Sequence, residues 1–343
     1  MVTENKKFNN HPNARKEIEE MSGYSAPLEG RRSLLRLDFN ENTIGPSPKV
    51  LEALRSISSN QISIYPEYSG LKEIIIKNLI IKTKNISLLP SNVDIFNGVD
   101  AAINAIFHAF GNINDEIITT TPTFGYYSPC ADMRGMKKIE VPYDGKGYDF
   151  PYKIIENYIK TKSPKILIIC NPNNPTGTTL EKDKIIALAN YSPQTLIVVD
   201  ELYDSFAPSH LLDKINFSKL PNIILLRSLS KTAGLAGLRI GYAIGNENIL
   251  LRIKRVTGPY DVNSFAVTAA FAALNDQAYT DSYVKEVLEA REWIKIQLKE
   301  SQIKHHIGGG NYFLLWPNSI PSIVAKKLKE NGILVRDMRG KKL

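Results

Sequence analysis

The chain has 343 residues, 43% of them hydrophobic and 23% charged, a balance that excludes wholesale disorder and can bury a sizeable core. Its formal net charge is +8, but the Lys and Arg residues are scattered, with no helix-turn-helix or zinc-ligand spacing, so no nucleic-acid partner is expected. Two cysteines, Cys130 and Cys170, make no disulfide framework, and residues 1–20 hold no apolar signal core. The most apolar run, Ile74 to Ile81, is interrupted by Lys77 and Asn78, so the expectation is a cytoplasmic protein without a membrane span.

Residues 1–30 read as an arm with little periodicity. In LRLDFNENTIGPSPKV, Gly45, Pro46 and Pro48 break the chain before a helical run, VLEALRSI. From about residue 70, apolar runs of strand length alternate with helical stretches. Strands are predicted at 117–121, 137–141, 166–170, 196–200, 223–227 and 240–244, with helices after Gly98 and after Thr179. Near-continuous Ile/Leu/Val strands between helices imply a mostly parallel sheet covered on both faces. A long amphipathic helix is predicted at 281–303. Beyond it HHIGGGNYFLLW reads as a strand, PSIVAKKLKENG as a helix closed by Gly332, and ILVRD as a short strand, together a βαβ piece. The expected organisation is an arm (1–30), a large domain (31–280, with 31–60 partly packing on the next) and a small C-terminal α/β domain (281–343).

Open α/β sheets bind ligands beyond the carboxyl ends of their strands, and four features fall there. Asp200 closes LIVVD and is either a helix cap or a buried functional acid. Lys231, in SLSK before a Gly-rich stretch, is either a surface lysine or a reactive amine. Asn171 to Gly177, NPNNPTG, is a turn in any reading. Gly98, Val99 and Asp100 open a helix whose free N–H groups favour a phosphate, although a glycine helix start is common. Of the other single residues, His305 and His306 read as a surface turn, His108 as a core residue, and Cys170 as unreactive.

Together and in this order, the segments NPNNPTG, VVDELY and SLSKTAGLAGLRIGY resemble the class I and II aminotransferases of the aspartate-aminotransferase fold. The likeness runs from about residue 24 onward, and the spacing of Asp200 and Lys231 suits that family. It implies an α/β architecture of pyridoxal-phosphate fold type I, in which a large domain with a mostly parallel seven-stranded sheet is joined to a small C-terminal domain. It implies pyridoxal 5′-phosphate as cofactor, with Lys231 as the Schiff-base lysine that also moves the substrate Cα proton, and Asp200 against the ring nitrogen. By the same likeness Tyr203 and Asn174 bond the phenolic oxygen, and Phe124 stacks on the ring. Ser228, Ser230, Arg239 and the Gly98–Val99–Asp100 helix start take the phosphate. Tyr65 would reach the phosphate of a neighbouring subunit, which implies a homodimer with shared sites, acting on an amino donor and a 2-oxo acid.

Within the family, GYSAPLEGR, LDFNENTIGPSPKVLEAL, TPTFGYY and ILVRD are most similar to the histidinol-phosphate aminotransferases. That likeness implies Arg336 on the substrate phosphate, with Tyr24, Asn40 and Glu41 lining the pocket. The reaction would convert imidazole-acetol phosphate and L-glutamate to histidinol phosphate and 2-oxoglutarate, in histidine biosynthesis. Family members continue past the ILVRD strand for one more strand–turn–helix unit carrying a further arginine. This sequence ends at Leu343, and Arg339 does not match that position, so weaker substrate binding and an open edge on the small sheet are expected. A threonine-phosphate decarboxylase, another amino-acid aminotransferase and a non-catalytic cofactor-binding regulator share the core motifs. The last usually has a DNA-binding domain ahead of this part, and the short arm offers none.

Overall fold

In the computed structural model, residues 12–21, 29–145 and 147–338 are described, which leaves Tyr24 and Arg339 outside the described residues. Seven strands form the central sheet: β2 (Val93–Phe96), β3 (Glu116–Thr121), β4 (Lys137–Pro142), β5 (Ile166–Cys170), β6 (Leu196–Asp200), β7 (Ile223–Ser228) and β8 (Gly241–Gly245). They follow β1 (Leu35–Leu37), which pairs elsewhere. The order across the sheet is β2-β8-β7-β6-β5-β3-β4. Strands β3 to β7 are mutually parallel, and β8 runs antiparallel to both β7 and β2.

Every residue of β5 and β6 is buried, because the sheet is covered on both faces. Alternate side chains enter two separate cores: Leu167 and Ile169 on one face, Ile166, Ile168 and Cys170 on the other. This is the two-residue period of a strand, and each fully buried Ile or Leu contributes about 2 kcal/mol. The second core is closed by the Gly98–Phe110 helix, which buries Val99, Ala102, Ile103, Ile106 and Phe107 at helical spacing. His108 falls on the opposite, exposed side of that helix with Asn104, so the expectation of a core histidine is corrected.

Strand β2 is missing from the sequence-based strands because Asp94 interrupts its apolar pattern. In the fold Asp94 is buried and paired with Lys72 at 3.0 Å. The connection from β7 into β8, residues 229–240, reverses the chain, and the two strands pair antiparallel. It sets Ser228 beside Gly241 and carries Lys231 at its start and Arg239 near its end.

The long helix spans Gln277–Glu300 and so begins ahead of its predicted start. HHIGGGNYFLLW is two strands rather than one. The Gly308–Gly310 run breaks it into an antiparallel hairpin of β9 (Lys304–Ile307) and β10 (Phe313–Trp316). His305 and His306 lie in β9, partly buried, rather than in a surface turn, and His306 Nε2 meets the Thr176 carbonyl at 2.9 Å. The last strand, β11 (Ile333–Val335), follows the Pro321–Glu330 helix. It pairs in parallel with β1, not with β10, so the expected βαβ piece is replaced by two two-stranded ribbons. Pairing starts where the helix stops, with Leu35 N–H donating to the Gly332 carbonyl at 2.8 Å. Among the described residues no helix is long and apolar enough to cross a membrane.

Candidate functional site

A cavity of about 1400 Å³ opens between the carboxyl ends of β5, β6 and β7, the long helix and the two C-terminal ribbons. Lys231, Tyr203, Asn174, Phe124, Arg239 and Arg336 all line it. Ser228, Ser230, Val99, Asp100, Asn40 and Glu41 line it too, so most of the predicted site residues converge on one space.

Lys231 Nζ donates to the Phe39 carbonyl at 2.7 Å and stands 5.9 Å from the centre of the Tyr203 ring. Burial lowers its pKa to about 8, with the charges of Glu41 and Asp100 pulling the other way. The neutral, nucleophilic fraction near physiological pH is therefore still a minority, about a fifth, but far larger than for an ordinary lysine.

Asp200 ends β6, buried. Tyr127 Oη donates to its Oδ2 at 2.6 Å and Leu202 N–H to its Oδ1 at 3.1 Å. Burial nevertheless raises the carboxyl to about 6, because two neutral donors do not replace the lost water. A cation placed against it would relieve that penalty.

Tyr203 is buried, with Asn40 Nδ2 donating to its hydroxyl at 3.1 Å and Tyr312 edge-on at 4.9 Å between ring centres. Burial raises its phenol above the usual range. The Asn171–Gly177 loop is rigid for local reasons. Asn171 exchanges two hydrogen bonds with the backbone of Leu180, at 2.8 and 3.1 Å. Asn173 is held by Thr123, Thr176 and the Pro122 carbonyl. Tyr312 Oη caps the Asn173 carbonyl at 2.6 Å, so Asn174 is presented to the cavity by fixed neighbours on both sides. Phe124 packs edge-on against Tyr127 at 5.5 Å and shows a ring to the same space.

The third corner is built for an anion. Gly98 opens its helix with φ +78°, and a Cβ there would lie 2.6 Å from Arg239 Nη2. Glycine permits both that φ and the close approach of the Arg239 guanidinium to the helix start. Arg239 pairs with Asp100 at 2.8 Å, and the Ser228 hydroxyl lies 2.8 Å from that of Ser230. The rim carries Arg31, bound to Asp38 at 2.6 Å and to Glu41 at 2.8 Å, and Arg36, whose Nε is 3.3 Å from Glu41. Arg336 sits 5.6 Å above the Phe39 ring.

Tyr65 is placed differently. It is 71% exposed, stacked on Tyr260 at 4.1 Å, and is not part of the cavity lining. Sequence reasoning missed Tyr127, Arg31 and Arg36. Tyr127 closes the TPTFGYY motif that carries Phe124, a usable signal; the two arginines gave none, being part of an apparently irregular stretch.

Residues 32–341 match the family described as aminotransferase class I and II. The chain belongs to the class I and II aminotransferases. Among its relatives is the histidinol-phosphate aminotransferase of Thermoanaerobacter sp. (strain X514), 34% identical over 88% of this chain and 84% of that one. Another is the histidinol-phosphate aminotransferase of Geotalea uraniireducens (strain Rf4), 31% identical over 94% of this chain and 90% of the other. The fold is shared with the histidinol-phosphate aminotransferase of Sinorhizobium meliloti, solved with pyridoxal-5′-phosphate (TM-score 0.83, 24% identity, 96% of this chain and 90% of that one). An aspartate aminotransferase double mutant of Thermus thermophilus also shares it (TM-score 0.79, 22% identity, 94% and 91%).

The enzyme is thus a pyridoxal-phosphate-dependent transaminase, and its residues fit that cofactor. An amine with a lowered pKa suits an aldehyde, a desolvated carboxylate suits a protonated ring nitrogen, and Gly98 lets the Arg239 guanidinium lie against a helix start, a pairing suited to a phosphate.

Proposed function

We propose that this aminotransferase interconverts imidazole-acetol phosphate and histidinol phosphate with glutamate as amino donor, in cytoplasmic histidine biosynthesis. The observation that carries this reading is that Lys231 and Arg336 line one cavity, an amine for the amino group and a guanidinium for the phosphate. The relatives' names support it.

Pyridoxal phosphate, when bound, supplies an aldehyde for the amine and a ring that withdraws electrons from the substrate Cα. Lys231 holds the cofactor and, once released, takes the proton from Cα and returns it to the cofactor side; its burial keeps the amine available for both tasks. Asp200 keeps the ring nitrogen protonated, and that cation offsets the cost of the buried carboxylate. Tyr203 and Asn174 donate to the phenolic oxygen, while Phe124 covers one ring face. Ser228, Ser230, Arg239 and the Gly98–Asp100 helix start hold the phosphate. Asn40 orients Tyr203 through its 3.1 Å hydrogen bond. Tyr65, exposed beside Tyr260, lends its hydroxyl to the phosphate site of a second subunit in a homodimer.

The test supplies histidinol phosphate and 2-oxoglutarate to the cofactor-loaded enzyme and follows glutamate, with carbon dioxide release from threonine phosphate measured in parallel. Glutamate formation is expected. Carbon dioxide without glutamate would replace this reading with the decarboxylase one. Lys231→Ala is expected to abolish turnover and to leave no cofactor fixed to the protein by borohydride; fixation to another lysine would overturn the site.

A further inference from the structure

The cations around the cavity are not equally available to a ligand. Arg31 is saturated by Asp38 and Glu41, while Arg239, beside Asp100, and Lys231, on the Phe39 carbonyl, are committed to the cofactor in the reading above. Arg291 Nη1 faces the carbonyls of Phe206, Gly308 and Gly310. Two guanidinium groups remain. Arg36 engages a protein partner only through Nε, leaving the Nη1/Nη2 fork without one among the described residues. Arg336 makes no ion pair among the described residues and rests on the Phe39 ring.

The strand register puts these two together. Arg36 of β1 pairs with Leu334 of β11, and Arg336 follows Leu334 by two residues. Side chains two apart on a strand share a face, and registered partners in a parallel pair share it as well. Arg336 is the residue just after β11, and carrying the strand spacing of about 6.6 Å per two residues one position further, across a gap of about 4.8 Å, puts the two Cα atoms about 8 Å from one another. Arginines so placed reach a single phosphate from two sides, and both line the cavity that contains Lys231. From this we infer that Arg36 is a second phosphate-gripping residue, acting with Arg336 to select a phosphorylated substrate; this rests on the transaminase reading above. Glu41 then has a definite task. Its Oε2 lies between Arg31 Nη2 and Arg36 Nε, which fixes the Arg36 guanidinium plane with its two terminal nitrogens directed away from the tether. Arg31, itself locked by Asp38, keeps Glu41 in place for that purpose.

The experiment is calorimetric titration of the cofactor-loaded enzyme with histidinol phosphate, with histidinol, which lacks the phosphate, and with inorganic phosphate as a competitor. Arg36→Gln is expected to reduce the preference for histidinol phosphate over histidinol about 10-fold, the loss of one charge-assisted contact. It is also expected to weaken competition by inorganic phosphate. Arg36→Lys keeps the charge without the fork and is expected to recover part of the preference, which separates a specific contact from a damaged fold. An unchanged preference in Arg36→Gln, or equal losses for both ligands, overturns the role of Arg36. A parent enzyme with no preference for histidinol phosphate overturns the substrate reading itself, a distinct result. Competition by free phosphate with no preference for the phosphorylated amine marks a free-phosphate site and overturns the inference.

Discussion

Replacing Asp200 by Asn isolates the cost of burying a charge at the cofactor position. The carboxyl is raised from 3.8 to about 6 by burial, against the opposing donors Tyr127 and Leu202. A shift of about 2 units corresponds to about 3 kcal/mol by which the ionised form is disfavoured in the fold. Asn is nearly isosteric. Its oxygen still accepts from the Leu202 N–H, and its amide can donate to the Tyr127 hydroxyl, so packing is retained. In the cofactor-free protein at pH 8 the substitution is therefore expected to stabilise, by up to about 3 kcal/mol in urea unfolding. The sign of the pH dependence follows from the raised pKa. Between 3.8 and about 6 the folded state binds more protons than the unfolded chain, so this group's contribution to stability falls as pH rises through that window. The advantage of the Asp200→Asn variant should thus be full at pH 8 and nearly gone at pH 4. With cofactor bound the order should reverse, with slower turnover and weaker cofactor retention. A cofactor-free variant less stable than the parent by the same amount at pH 8 and pH 4 would refute the reasoning, because the carboxylate would then be a structural bond and not a held charge.

Two other substitutions or probes test the same site. Gly98→Ala forces a Cβ into a backbone with φ +78° and to within 2.6 Å of Arg239 Nη2, so a stability loss of about 1–2 kcal/mol and weaker cofactor retention are expected in unfolding and dialysis experiments. Parent-like values would mean that the helix start relaxes without cost. Both cysteines are buried, and burial lifts each thiol to about 12, so Ellman's reagent at pH 8 should react with neither until the chain unfolds. Fast labelling of the folded protein would contradict that burial.

Much of this arrangement is readable from residues one at a time. The β5 and β6 runs are continuous apolar strands with a polar residue at the point of exit, which places Asp200 and the Asn171 loop from the sequence alone. Lys231 and Arg239 are recognisable from the motif that surrounds them. What the sequence hides is long-range pairing. The irregular stretch 31–41 carries the Phe39 carbonyl that receives Lys231 and the Asn40 amide that donates to Tyr203, and neither contact has a local signature. The partners of Tyr127 and Arg227 are likewise hidden. The Arg227 guanidinium pairs with buried Glu201 at 2.8 Å and with Asp204 at 3.1 Å, bracing the turn between Asp200 and Tyr203. The break between β9 and β10 is legible in three consecutive glycines, but β11 choosing β1 over β10 depends on a segment about 300 residues earlier.

That last pairing has a temporal consequence for the enzyme as it is made. Leu35 meets Ile333, so β1 waits for almost the whole chain before it has a partner. At roughly 5–20 residues per second, synthesis of the intervening 300 or so residues takes about 15–60 s. The central sheet can close once β8 is made, about 90 residues before β11, so for about the last 5–18 s of that interval Asp200 and Lys231 already stand on their strands while β1 has no partner. A cavity rim built from both ends of the chain is therefore completed only when β11 is in place.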